Sequence, residues 1–179
     1  MRVGIRALEP GDREEFLAAV RRSRGFHRPW VQPPSSAMLF HAYVVRSRRV
    51  AHESHLVCLR ATAEIVGVVN LGEIVRGHFR SAYLGYYGFH PHAGKGYMTE
   101  GMRLVIAHAF RTLKLHRLEA NIQPENRASI ALVRRLGFRR EGYSPRYLKI
   151  GGRWRDHERW AILAEEWAPT RRKPGGDPP

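Results

Sequence analysis

The chain has 179 residues, 43% of them hydrophobic and 10% aromatic, a globular composition that excludes wholesale disorder. Lys and Arg number 31 against 16 Asp and Glu, and the net charge of +15 sets up a field that attracts nucleotide phosphates, RNA or a ribosome surface. No apolar run approaches the ~20 residues of a bilayer span, and Cys58 is the only cysteine, so a soluble, cytoplasmic protein without disulfides or membrane segments is expected.

Residues 3–8 read as a strand, without the apolar core of a leader peptide. A turn at Glu9-Pro10-Gly11-Asp12 leads to a helix carrying Phe16, Leu17 and Val20 behind an acidic first turn. Residues 25–34 hold Pro29, Pro33 and Pro34 around Trp30, which predicts a loop rather than a buried element. Ser35 or Ser36 can cap a second helix through Val45. Residues 55–61 and 64–71 predict a strand pair, and residues 81–89 a third strand with Gly85 and Gly88 inside it. From Tyr97 onward Met98, Met102, Val105, Ile106, Ala109 and Leu113 recur at helical spacing. A short strand at 117–122 and an amphipathic helix from Asn126 to Leu136 follow, with Gly137 as a helix terminator. Residues 143–150 and 154–163 predict a hairpin turning at Gly151-Gly152. The order predicts one mixed α/β (α+β) domain over residues 1–167, with a basic Pro/Gly tail at 168–179 that frays.

The segment Ala93-Gly94-Lys95-Gly96-Tyr97 joins a glycine-bearing strand to a helix start. Glycines let backbone N–H groups approach an anion, and the unpaired N–H groups of a new helix favour phosphate. It is neither a Walker loop nor a GxGxxG fingerprint, and taken alone it reads equally as a connector.

Three blocks in order carry a resemblance: GYYGFHPHAGKGYMTEGMRLVIAHAF (85–110), LHRLEANIQPENRASIALVRRLGFRREG (115–142) and YLKIGGRWRDHERWAIL (147–163). Together they resemble the GNAT N-acetyltransferase superfamily, and within it the ribosomal-protein N-acetyltransferases of the RimJ/RimL type. The resemblance implies a mostly antiparallel twisted sheet with helices on both faces and one splayed parallel strand pair. It implies acetyl-CoA as co-substrate, with pantetheine along the backbone of Phe89 and pyrophosphate on the N–H groups of Gly94, Lys95, Gly96, Tyr97 and Met98. Asn126 matches the family's pantetheine-contacting Asn, and Ser129, one helical turn on, would serve the same arm or the thiolate. Pro91 stands where the family has Gln or Arg, and the loop is about one residue short, so the phosphate contact falls to the backbone.

For catalysis the resemblance implies Glu119 as general base, the alternative being an ordinary outward-facing strand carboxylate. Val133 stands where many members have their acid Tyr, leaving Ser129, Tyr143 or a water; a backbone N–H near Phe89 would hold the oxyanion. Cys58, within Leu56-Val57-Cys58-Leu59, reads as core. His90 and His92 lack a third ligand at metal-site spacing, so no metal is expected. Asp156-His157 reads as a structural hydrogen bond or a substrate-end contact. The expected acceptor is a primary amine, foremost a protein N-terminus, with a small amine or antibiotic as the alternative. The alternative of another class is a non-catalytic module of CoA-type fold that binds RNA or the ribosome through its basic surface; on either reading a monomer or homodimer is expected.

Overall fold

A computed structural model of the chain describes residues 1–167, so the tail from 168 onward lies outside the described residues. Seven strands form one sheet: β1 (Val3–Ala7), β2 (Glu53–Leu59), β3 (Ile65–Val75), β4 (Ser81–Gly88), β5 (Arg117–Ile122), β6 (Arg139–Ile150) and β7 (Arg153–Leu163). Their spatial order is β1-β2-β3-β4-β5-β7-β6, and every neighbouring pair is antiparallel except β4 with β5. The helices are α1 (Arg13–Arg22), the short α2 (Arg24–His27), α3 (Ala37–Ser47), α4 (Tyr97–Arg111) and α5 (Arg127–Arg135).

Both faces of the sheet are covered, which is why the central strands are apolar at successive positions rather than alternating. On one face Met102, Val105 and Ile106 of α4 pack with Val57, Leu71 and Leu118. On the other, Phe16 of α1 and Phe40 of α3 pack with Leu56, Val68 and Phe89, and Cys58 joins this cluster. The Phe16 ring lies 5.0 Å from Phe40 and 5.7 Å from Phe89. The register shifts between Val57 and Cys58, where Val57 faces Gly67 and Cys58 faces Ile65. That bulge keeps Val66 and Val69 on the α4 face and Ile65 and Val68 on the other.

Helix ends follow local chemistry. Ser36 accepts from Leu39 N at 3.3 Å, and Asn126 from Ser129 N at 3.1 Å, so each side chain caps its helix. At the end of α5, Gly137 (φ 91°) donates to Arg134 O and Phe138 donates to Val133 O. This is the paired closure that a left-handed glycine permits.

Two sequence expectations need revision. The expected loop at 25–34 is entered by the one-turn helix α2 (Arg24–His27), and His27 is buried, because three rings surround it: Phe26, Tyr87 and Phe89 at 5.4–5.9 Å. Strand β6 starts at Arg139, before Tyr143, because Arg139 and Arg140 already pair with Ala161 and Trp160.

Gly101 lets α4 settle on β2: a Cβ there would come within 2.5 Å of a Val57 methyl. Val57 is buried and β-branched, and cannot swing away. Gly101→Ala is expected to lower the melting temperature by about 5 °C through overpacking, despite alanine's better helix propensity. A differential scanning calorimetry trace unchanged from the parent would contradict this packing.

Candidate active site

β4 and β5 pair only at Ser81, Ala82 and Tyr83 with Arg117, Leu118 and Glu119. Beyond Tyr83, β4 runs on to Gly88 and β5 to Ile122 without pairing to each other. The gap opens into a cleft of about 480 Å³. Its floor includes Gly85, Tyr86 and Asn121; one end is the loop of Ala93, Gly94 and Gly96 at the start of α4.

Alternation along β4 sets which backbone groups face the gap. Phe89 donates to Val66 O at 2.9 Å, and its carbonyl accepts from His92 N at 2.9 Å. In an antiparallel ladder the groups of the next residue point the other way. Gly88 accordingly has its carbonyl turned from β3, where it accepts from His27 Nε2 at 2.8 Å. The backbone facing the gap is thus that of Tyr86 and Gly88, while Phe89 is fully buried and both its backbone groups are engaged.

Gly94 (φ 78°) and Gly96 (φ 80°) both adopt left-handed backbone, and Gly96 is the residue that opens α4. Arg2 braces the loop from β1's end: Nη2 donates to Lys95 O at 2.9 Å, Nε donates to Glu100 Oε1 at 2.7 Å, and the guanidinium lies 4.6 Å from the Tyr97 ring centre. His92 holds the other side by donating to Glu64 Oε1 at 2.9 Å. The result is a preset turn of backbone N–H groups beside a helix start, the geometry that receives phosphate.

On the α5 side, Asn126 and Ser129 line the cleft, and Ser129 Oγ lies 2.5 Å from Tyr86 OH. Burial pushes the Tyr86 phenol well up, so it stays protonated. His27, Trp30, Gln123 and His157 also line the cleft. Gln123 Nε2 donates to Trp30 O at 3.4 Å, tying the 28–36 segment to the end of β5. Burial lowers the pKa of both His27 and His157, leaving neutral rings. Each gives its proton to a carbonyl, His27 through Nε2 to Gly88 and His157 through Nδ1 to Arg155 at 3.0 Å. One bare nitrogen therefore remains on each ring. Asn121 Oδ1 is buried without a hydrogen-bond partner among the described residues.

Four sequence-expected residues are absent from the cleft lining. Glu119 does not line the cleft; it sits at the last paired position of β5, and Arg117 Nε donates to its Oε1 at 2.7 Å. Tyr143 is half exposed on β6, where its hydroxyl donates to Asp156 Oδ2 at 2.5 Å. Phe89 lies in the aromatic cluster described above. Lys95 has its side chain outside the cleft lining, while Gly94, Gly96, Tyr97 and Met98 line it. Both oxygens of Asp156 serve Tyr143 and Arg146 N, so Asp156 and His157 form no dyad. Sequence reasoning missed His27, Asn121 and Tyr86.

The GNAT acetyltransferase domain family matches residues 2–139. The chain belongs to this family. A Bacillus subtilis protein named as a probable N-acetyltransferase, YjcK, is 35% identical over 171 residues, covering 89% of this chain and 92% of that protein. The Escherichia coli ribosomal protein uS5-alanine N-acetyltransferase is 44% identical over 108 residues, or 60% of this chain and 56% of the relative. The solved Mycobacterium smegmatis RimJ in complex with CoA-disulfide superposes with a TM-score of 0.84 at 30% identity, covering 92% of this chain and 83% of that one. The chain is an N-acetyltransferase that uses acetyl-CoA. Its cleft suits that co-substrate, with unpaired strand backbone leading to a glycine-rich helix start. Among the described residues, no helix of this GNAT enzyme is long and apolar enough to cross a membrane.

Proposed function

We propose that the enzyme transfers acetyl from acetyl-CoA to the N-terminal amine of a protein, a ribosomal protein foremost, by direct attack on the thioester. The observation that carries the reading is the separation of β4 from β5 immediately after Tyr83 and Glu119, which gives the thioester a slot with protein groups on both sides. The 44% identity to the uS5-alanine enzyme supports the protein acceptor, and the net charge of +15 disfavours polycationic amines.

In this reading the pyrophosphate rests on the N–H groups of Gly94, Lys95, Gly96, Tyr97 and Met98. Asn126 caps α5 with Oδ1, and its Nδ2 donates to the pantetheine arm. The Gly88 N–H, turned into the gap, receives the developing oxyanion. The amine nitrogen approaches Asn121 Oδ1, loses its proton to a neutral imidazole, and bonds to the carbonyl carbon. The C–S bond then breaks, and the second proton that the nitrogen sheds as the amide forms reaches the thiolate through Ser129 Oγ, which gives up its own proton and takes this one in its place, while Tyr86 OH donates a hydrogen bond to Ser129 from behind.

An acceptor panel tests the reading, with released CoA thiol as the readout. Peptides carrying ribosomal-protein N-termini that begin with Ala or Ser should exceed spermidine and an aminoglycoside in kcat/KM by at least about tenfold. Preference for either small amine overturns the protein-acceptor assignment.

A further inference from the structure

A second cluster of chemically active side chains lies away from the cleft. Glu53 and His55 project from β2 on the side of α4, and His108 meets them from α4. Glu53 Oε2 is 3.1 Å from His55 Nε2 and 2.8 Å from His108 Nε2. The two imidazoles cross edge to face with centres 5.1 Å apart. One candidate donor atom from each residue lies within 4.8 Å of the others.

We propose that Glu53, His55 and His108 form a binding site for a first-row transition-metal ion, zinc foremost, that pins β2 to the last turns of α4. The donor set is two imidazole nitrogens and a carboxylate, which suits zinc, copper or nickel and not magnesium or calcium, whose ligands are oxygens. The geometry is close to what an ion needs. With metal–ligand bonds of about 2.0–2.1 Å, tetrahedral ligands stand about 3.3 Å apart. The two His–Glu separations need only open by a few tenths of an ångström, and the two Nε2 atoms draw together. Each Nε2 now faces the carboxylate through a proton; an ion takes the place of both, with each neutral ring changing tautomer so that its single proton stands on Nδ1. The side chains are 12%, 27% and 30% exposed for His55, His108 and Glu53, so the site is walled but reachable, and water can fill the fourth position.

The site is separate from catalysis. His108 lies eleven residues along α4 from Tyr97, about 16 Å at the helical rise. None of the three residues lines the acetyl-CoA cleft. The ion's role would thus be to fasten the fold.

Tag-free, full-length protein titrated with zinc sulfate by isothermal calorimetry tests this. The expected result is one tight equivalent of zinc, a higher melting temperature with zinc, and no heat from magnesium. His108→Gln and, separately, His55→Gln should each weaken that equivalent at least about tenfold and abolish the zinc-dependent melting shift. His78→Gln, at an exposed position remote in sequence, should change neither. Acetyl-CoA binding, measured in the same samples, verifies that the variants are folded. Absence of a tight equivalent, or equal zinc affinity in the parent and in His108→Gln, overturns the site and leaves the three residues a hydrogen-bonded clamp.

Discussion

Gly96→Val is expected to reduce acetyl-CoA affinity about a hundredfold, whereas Lys95→Ala costs only about threefold. Gly96 opens α4 at φ 80°, a conformation costing a residue with a Cβ about 1–2 kcal/mol and a β-branched one more. An added Cβ would also press on Arg2 Nη2, 3.2 Å away, and Arg2 is the group that holds Lys95 O. In the proposed binding mode the loop relaxes by turning its N–H groups from the pyrophosphate, and each charge-assisted bond lost is worth about 1.5–3 kcal/mol. At about 1.4 kcal/mol per decade, one such bond plus the strain reaches two decades. The Lys95 ammonium is solvated and outside the cleft lining, where a single charge is worth under about 1 kcal/mol. Calorimetric titration with acetyl-CoA measures both variants. Equal losses would mean that the side chain, rather than the backbone, carries the pyrophosphate.

The helices around that loop were legible because their signals are local. Asn126 capping α5, Gly137 closing it and the apolar stripe of α4 each depend on residues a few positions apart. The glycines of the loop belong to the same class. The catalytic side was less legible, and Glu119 shows why. The apolar Leu118, Ala120 and Ile122 put Glu119 on the opposite face of β5, as alternation requires. What sets its position relative to the cleft is the parallel register with β4, which ends at Tyr83–Glu119. One alternation later, Asn121 reaches the open gap while Glu119 stays inside the paired sheet beside Arg117. No composition or period encodes where two strands stop pairing.

His27 was hidden for a related reason, and His157, read from the sequence as a structural or substrate-end residue, could not be seen to share a cleft with it. They are 130 positions apart in sequence and meet the same cleft only because the Pro-rich segment folds over β4 and the terminal hairpin returns beside β5. Pro29, Pro33 and Pro34 mark a non-repetitive segment, yet its one-turn helix delivers a buried imidazole. A signal was present in the hairpin: a histidine among the alternating residues of β7, on the same face as Arg155 and Arg159. Its partner could not be read from adjacency, since Asp156 turns away to Tyr143 and Arg146.

His157→Asn is expected to lower kcat by about 10²–10³-fold, within the range of about 10²–10⁴ for a lost general base, and His27→Gln by about tenfold. The replacements keep each ring's existing donor: an Asn amide can still reach Arg155 O, and a Gln amide Gly88 O. Both remove the bare nitrogen. His157 is the stronger candidate for the proton acceptor because His27's bare Nδ1 is shut among Phe26, Tyr87 and Phe89, without a path to pass a proton on. Burial, the largest influence on His157, lowers its pKa from the ordinary 6.5, outweighing the Arg155 carbonyl and the Asp156 charge. The base is the neutral form, so the acid limb of kcat/KM should have its midpoint below 6.5, and His157→Asn should flatten that limb. Stability moves with the same sign. The unfolded chain takes up a proton on His157 at higher pH than the folded one, so the contribution is complete above 6.5 and fades as pH falls from there to the lower folded value. His157→Asn should therefore lose part of the parent's acid destabilisation in that window. A variant that keeps the parent's acid limb would remove His157 from the proton-transfer role and leave the base to be sought elsewhere in the cleft.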